Sequence, residues 1–316
     1  MQSRLSPLPL VSIIMPTYNH AQFLDTALQS LVKQSYPNWE LFIIDNHSTD
    51  NTIQTISNFD DSRISVLSIS NKGSIAASRN SALRYAKGEW IAFLDSDDWW
   101  EYNKLEMCSK FFDSQTDFIY HNMKVISNTS SHYSKNQIKS RQVNPPILKD
   151  LLLKGNTIAT SSVVVRAAIF KKIGGMNESQ EMIGTEDFNA WLKISKVTEN
   201  FRHLPEYLGF YRIHDQNTSM HKAFQLPWAA ISEFLGELSP SENKLIMSQF
   251  SYTLGRLHFL DGELFESRKN LKLVIRSKFR QNSLKAFWML TQISTRFYLI
   301  KIRKLFTRNR IPPEIK

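Results

Sequence analysis

The chain has 316 residues, 42% hydrophobic and 22% charged, which excludes wholesale disorder and leaves room for one core with an appendage or for two modest domains. It has 10 glycines, no GxGxxG and no P-loop pattern, so a bound nucleotide would be held by side chains or a metal; the single cysteine, Cys108, excludes an internal disulfide and a cysteine-built zinc cluster and fits a reducing compartment. The net charge of +10 is uneven: residues 268–316 hold 14 Lys/Arg against one acid, Glu314, leaving the first 267 residues at −3.

The first hundred residues alternate strand and helix signals. Residues 11–15 form a short apolar run that Pro16 is expected to close. Phe23, Ala27, Leu28, Leu31 and Val32 then fall on one helix face, which ends near Tyr36-Pro37-Asn38. Residues 41–44 predict a second strand, followed by polar residues 45–50, a short helix with Ile53 and Ile56, and a strand at 64–67. Residues 78–86 read as helix, broken by Gly88, and residues 90–94 as a strand ending in Asp95-Ser96-Asp97-Asp98. Short apolar runs separated by helices predict parallel strands buried on both faces, an α/β sheet.

Further along, residues 118–120 and 162–165 read as strands, and the polar segment 127–146 between them as a loop. From Pro227 the pattern is helical. Met247, Phe250, Leu254 and Leu257 share one face, Asp261-Gly262 makes a turn, Leu271, Val274 and Ile275 continue a second helix, and Leu284, Phe287 and Trp288 open a third. A tetratricopeptide-like helix pair and a small helical cap both fit. The last predicted helix, 296–308, sets Tyr298, Ile302, Leu305 and Phe306 against Lys301, Lys304 and Arg308. Such a basic amphipathic helix is either a contact for an anionic membrane or a packed helix with a solvated face. There is no run of 18 apolar residues, and the N-terminus reads poorly as a secretory signal. The expected location is cytoplasmic, with peripheral contact on the inner face of the cell membrane.

In an open parallel sheet, ligands bind beyond the carboxyl ends of the strands. Here those ends carry Pro16-Thr17-Tyr18-Asn19, Asp45-Asn46 and Asp95-Ser96-Asp97-Asp98. Each alone is a plausible turn or helix cap, but together they deliver polar and acidic groups to one edge. In extended chain, residues two apart point the same way, so Asp95 and Asp97 are expected to approach one ligand while Ser96 points aside. Like charges so placed call for a cation between them, such as a magnesium-type ion completed by phosphates and water. Thr185-Glu186-Asp187 is a second acidic group. Thr185 can cap a helix whose buried face holds Phe188, Trp191 and Leu192, and acids in a first helical turn suit the dipole.

The segments VSIIMPTYN, LFIIDNHSTDNT, SRNSAL and WIAFLDSDDWW, in this order and spacing, resemble the family 2 glycosyltransferases of the GT-A fold. GTEDFNAWLKIS and FYRIHDQNTS extend the likeness over about residues 9–222. The resemblance implies a GT-A domain over 1–225, a Rossmann-like, mostly parallel sheet flanked by helices, followed by a helical region, 226–316, that it does not cover. It implies that Pro16, Thr17 and Tyr18 line a nucleoside pocket with Asp45 and Asn46. Asn46 stands where the family has a second acid facing the base, a mild departure that keeps uracil open. Arg79 would reach the diphosphate, or else be a solvated helix charge. Asp95 and Ser96 would contact the donor, Asp97 would ligate Mg2+ or Mn2+, and His214 matches a metal or diphosphate position in some members. Asp187 would be the general base, its pKa raised by the neighbouring Glu186. His20, His47 and His221 carry no assigned metal role, and Trp99 and Trp100 are either sugar-stacking or core.

The expected function is metal-dependent, inverting transfer of a sugar from a nucleotide-sugar, a UDP-sugar first, to a carbohydrate or lipid-linked acceptor in surface polysaccharide synthesis. The alternatives are a nucleotidyltransferase, a catalytically inactive transferase scaffold that binds a membrane or partner, and generic nucleic-acid binding by the tail. No specific nucleic acid is expected as a partner.

Overall fold

The computed structural model describes residues 7–127, 137–214, 226–276 and 282–295. The chain divides into two compact units, residues 1–222 with 229–231, and residues 223–228 with 232–316.

Among the described residues, the larger unit is built on a nine-stranded sheet. Strands β1 (Val11–Thr17), β2 (Trp39–Asp45), β3 (Ile64–Ser68) and β4 (Trp90–Phe93) run parallel in the order β3-β2-β1-β4. β1, β2 and β4 are buried on both faces, which is why they read as unbroken apolar runs. Helix α1 (Ala21–Val32) packs Phe23, Leu24, Ala27, Leu28 and Leu31 onto this core. Val32, expected on the same face, is exposed.

Pro16 does not close β1; it lies within it, paired in register with Ile44. Its missing N–H costs nothing here. Ile14 turns its carbonyl toward the β4 side, where it accepts the Leu94 N–H, so Pro16 faces that side one step beyond the end of β4. After β2 and α2 (Thr52–Ser57), helix α3 spans Ile75–Ala82 rather than starting at Ser78. Ser74 sets its start by accepting the Ala77 N–H on its side-chain oxygen.

The second half of the sheet is mixed. It comprises β5 (Trp99–Trp100), β6 (Phe118–Ser127), β7 (Gln137–Ile138), β8 (Val164–Arg166) and β9 (Phe201–Ile213). The order continues β4-β8-β6-β9-β5, with β7 on β6. β6 and β7 intrude on the predicted loop at 127–146, whose residues 128–136 lie outside the described residues. β9, thirteen residues long, has no clear sequence signal. Only scattered positions such as Leu204, Leu208 and Ile213 are buried, and Pro205 interrupts the run. Pro205 sits where β6 and β9 shift register, and its carbonyl accepts the Asn122 side-chain amide there. Trp99 stacks on Phe210 and Trp100 is buried with its indole N–H on the Ser161 carbonyl, so both tryptophans are packing residues.

The smaller unit contains helices Pro240–Leu260 and Leu264–Arg276, and residues 282–295 are also helical. Ser239 and Glu242 form a reciprocal capping box ahead of the first, with Pro240 at its opening turn. The expected face of Met247, Phe250, Leu254 and Leu257 is not the buried one. Ile246, Ser248, Ser251 and Gly255 are buried instead. Small residues let the next helix come close: a Cβ on Gly255 would stand 2.7 Å from Leu271 Cγ. Leu271, Val274, Ala286, Met289 and Ile293 make the core, while Ile275 is exposed. The predicted basic helix 296–308 lies outside the described residues. Among the described residues no helix is long and apolar enough to cross a membrane.

Candidate active site

A cleft of about 1080 Å³ opens beyond the carboxyl ends of β1, β2 and β4. Strand order reverses between β1 and β4, the switch point at which chain connections diverge and leave space for a ligand.

Pro16, Thr17 and Tyr18 line one wall. Thr17 Oγ1 is buried with no protein partner, and Tyr18 is exposed. Asn19 adopts the left-handed region (φ 52°), and its Oδ1 accepts the Thr49 N–H at 2.7 Å, tying the β1 end to the loop after β2. Asn46 is on the wall and Asp45 is not. Both Asp45 carboxylate oxygens accept the Ser48 N–H at 3.2 Å, so this acid shapes the loop. The Asn46 side-chain Oδ1 accepts the Asn71 N–H at 2.9 Å.

The acidic segment after β4 is not extended. Asp98 N–H returns to the Asp95 carbonyl at 3.0 Å, making a tight turn. Asp95 and Asp97 both line the cleft, but they do so from a turn and not by the extended alternation expected from the sequence, and they take different partners. Asp95 pairs with Arg79 Nη2 at 2.6 Å, and Asp97 Oδ2 meets His214 Nε2 at 2.9 Å. Ser96 does not point away: its hydroxyl bonds His20 Nδ1 at 2.8 Å. Asp98, given no role from the sequence, is buried and accepts the Arg212 N–H, while Arg212 Nε donates to the Asp97 carbonyl. These bonds staple β9 to the turn, and they bring His214, two residues on, to Asp97.

Arg79 is not a solvated helix charge: it lines the cleft. It is 3% exposed and forks between Asp95 and, at 3.1 Å, Glu186. One buried guanidinium thus joins the two acidic groups, which lie 91 positions apart in sequence at Asp95 and Glu186. Glu186 also accepts the Gly184 N–H at 2.6 Å. Thr185 does not cap the helix Glu186–Ser195 with its side chain; its hydroxyl donates to the Met182 carbonyl.

Asp187 faces the same cleft. Its Oδ2 accepts the Thr160 hydroxyl at 2.8 Å and its Oδ1 the Phe188 N–H at 2.6 Å. Burial raises its pKa to about 6, and the adjacent Glu186 charge adds to the rise. That range suits a group that takes up a proton near neutral pH.

His20, assigned no metal role from the sequence, stands with Asp97 and His214. The three offer ligand atoms all within 4.8 Å of one another. Burial keeps the His20 pKa below its usual value, favouring the neutral imidazole that ligates metals. Phe23 packs on His214 at 4.5 Å and on His20 at 5.5 Å between ring centroids, holding both rings. One carboxylate and two imidazoles fit a divalent transition ion; magnesium prefers oxygen alone. The sequence clue to His20 was its place directly after the Pro16–Asn19 strand end. Thr160 gave none, because it reaches the site only through the fold.

The sequence model described as Glycosyl transferase family 2 matches residues 12–174. Among curated relatives, Escherichia coli WfgD, named a UDP-Glc:alpha-D-GlcNAc-diphosphoundecaprenol beta-1,3-glucosyltransferase, is 36% identical over 234 residues, covering 72% of this chain and 87% of WfgD. WfaP of the same organism, with the same activity in its name, is 32% identical over 220 residues, covering 69% and 82%. Among solved structures, S. aureus TarS in complex with UDP-GlcNAc superposes with a TM-score of 0.64 at 20% identity, covering 84% of this chain and 81% of that one. A Pyrobaculum calidifontis mannosyltransferase with GDP-Man and Mn2+ gives 0.58 at 15% identity, covering 95% and 83%. The structural likeness establishes the GT-A fold.

Proposed function

The chain belongs to glycosyl transferase family 2 and is a glycosyltransferase, and we propose that it transfers a sugar from a UDP-sugar to a hydroxyl of a lipid-linked glycan, with inversion, at the cytoplasmic face of the membrane. The observation that carries this reading is the arrangement of Asp97 and Asp187 on one cleft, held in register by Arg79. The names of WfgD and WfaP support UDP-glucose as the first donor to test and a diphosphate-linked lipid as the acceptor class.

The donor lies across the strand ends. Thr17, Tyr18 and Asn46 face the nucleoside, and the Asn46 amide supplies donors to a base carbonyl where a carboxylate could only accept. His20, Asp97 and His214 would hold Mn2+ or a similar ion, which when bound neutralises charge on the diphosphate. Asp187 takes the proton from the acceptor hydroxyl while that oxygen bonds to the anomeric carbon. The bond from that carbon to the diphosphate oxygen breaks, and the electron pair leaves with UDP. A single displacement inverts the centre. Glu186 keeps Asp187 basic, and Arg79 fixes the separation of the two acids; it is a positioning residue.

A thermal-shift panel of UDP-, GDP- and dTDP-sugars with and without Mn2+ tests the donor. Ligand that binds only the native state raises its melting temperature. UDP-glucose is expected to stabilise the protein only with the ion present. An NMR assignment of the product's anomeric configuration tests the stereochemistry, and an α-linked product from an α-linked donor rules out single displacement.

A further inference from the structure

The smaller unit carries an apolar surface with no partner in its own core. In residues 282–295, Ala286, Met289 and Ile293 point inward and are buried. The opposite face presents Leu284, 81% exposed, with Phe287 and Trp288, each 60% exposed. Leu284, Phe287 and Trp288 recur at helical spacing, so this helix has two apolar faces, of which only one is covered among the described residues. The exposed face borders a groove of about 490 Å³, shared with Phe259 and with Leu260, itself 65% exposed. Among the described residues, Arg256 and Lys285 are the charged ones on the groove, and no acid lines it.

Two kinds of occupant have the right apolar chemistry, a second copy of the chain and a lipid bilayer. Charge separates them. Residues 268–316 contain 14 Lys/Arg and one acid, so face-to-face pairing of two copies would oppose two strongly cationic regions. An anionic bilayer reverses the sign of that interaction. It also offers what an aromatic residue flanked by cations prefers, an apolar boundary beneath a charged headgroup layer.

We propose that the face formed by Leu260, Leu284, Phe287 and Trp288, rimmed by Arg256 and Lys285, docks onto an anionic phospholipid bilayer. The aromatic and leucine side chains enter the headgroup–acyl boundary, and the two cations meet lipid phosphates. This docking goes beyond the donor chemistry and does not depend on it.

Vesicle co-sedimentation of the full chain tests the proposal, using phosphatidylcholine alone and phosphatidylcholine with phosphatidylglycerol. Wild type is expected to sediment with the anionic vesicles and to be released by salt. The double variant Phe287→Ser/Trp288→Ser should weaken partition at least about tenfold, given the apolar area withdrawn from water. Arg256→Glu/Lys285→Glu should weaken it by a similar factor or more, since each cation near such a surface strengthens binding about fivefold. All four side chains are exposed, so the variants should fold, which circular dichroism checks. Transfer to a water-soluble acceptor should be unchanged in both, so failure of docking and failure of the transferase reading are distinguishable. Equal sedimentation of wild type and variants overturns the proposal. So does equal binding to both vesicle types. A wild-type dimer that the Phe287→Ser/Trp288→Ser pair converts to monomer would make the face a self-association surface instead, and capture of an acidic peptide without vesicle binding would make it a protein-docking groove.

Discussion

Asp187→Asn is expected to separate catalysis from stability, moving them in opposite directions. In the folded chain the Asp187 carboxyl has its pKa raised from 3.8 to about 6. The folded state therefore binds this proton more tightly than the unfolded state does. Below pH 3.8 the carboxyl is protonated in both states and costs nothing. Between pH 3.8 and about 6 ionisation favours the unfolded chain progressively, and above 6 the penalty is complete. At about 1.4 kcal/mol per tenfold in proton affinity it is on the order of 3 kcal/mol. An asparagine cannot ionise and escapes this penalty, but it keeps only one acceptor oxygen for the Thr160 hydroxyl and the Phe188 N–H. Losing one such bond costs about 1 kcal/mol. The net gain is about 2 kcal/mol at pH 7.5, and at roughly 2–4 °C per kcal/mol for a unit of this size it raises the melting temperature by about 4–8 °C. At pH 5 about half of the gross penalty remains, so the advantage should shrink to about 0.5 kcal/mol, or roughly 1–2 °C. Scanning calorimetry of both proteins at the two pH values, without ligand, measures this. Turnover should meanwhile fall about 100- to 10,000-fold, with UDP-sugar affinity unchanged. A lower melting temperature at pH 7.5, or a shift independent of pH, refutes the buried-carboxylate argument. Normal turnover refutes the base assignment.

For the wild type, kcat/KM should rise about tenfold per pH unit below 6 and level off above it, as the base loses its proton; a flat profile from pH 5 to 8 is the contrary result. Arg79→Met leaves Asp95 and Glu186 without their shared cation, so it should cost about 3–5 kcal/mol in denaturant titration, where a solvated arginine would cost almost nothing. Mn2+ titration by calorimetry should show His20→Ala binding at least about tenfold more weakly, and Asp97→Ala not measurably; wild-type affinity in His20→Ala would remove it from the ligand set. Gly255→Val places its Cβ 2.7 Å from Leu271 Cγ in a packed seam, so it should destabilise the smaller unit by about 1–3 kcal/mol while leaving transferase activity intact.

The GT-A core was legible because its strands are buried on both faces, and β1, β2 and β4 therefore write continuous apolar runs into the chain. β9 was not legible, because one face is solvated and Pro205 breaks its pattern; it forms by pairing with β6, a partner that local sequence does not name. The same division runs through the site. Asp97, His214 and Asp187 were singled out by motif resemblance, whereas contacts such as Thr160–Asp187 and Ser96–His20 were not. Asp45 turned inward to its own loop, Arg79 bridges two acids, and His20 stands with Asp97 and His214. By itself the sequence determined which segments bury and which strand ends carry acids, since both follow from apolar periodicity along a few neighbouring residues. Only the tertiary structure decided which charge meets which, because the Arg79–Glu186 and Asp97–His214 contacts join positions more than a hundred residues apart and exist only once the sheet has brought those strand ends together.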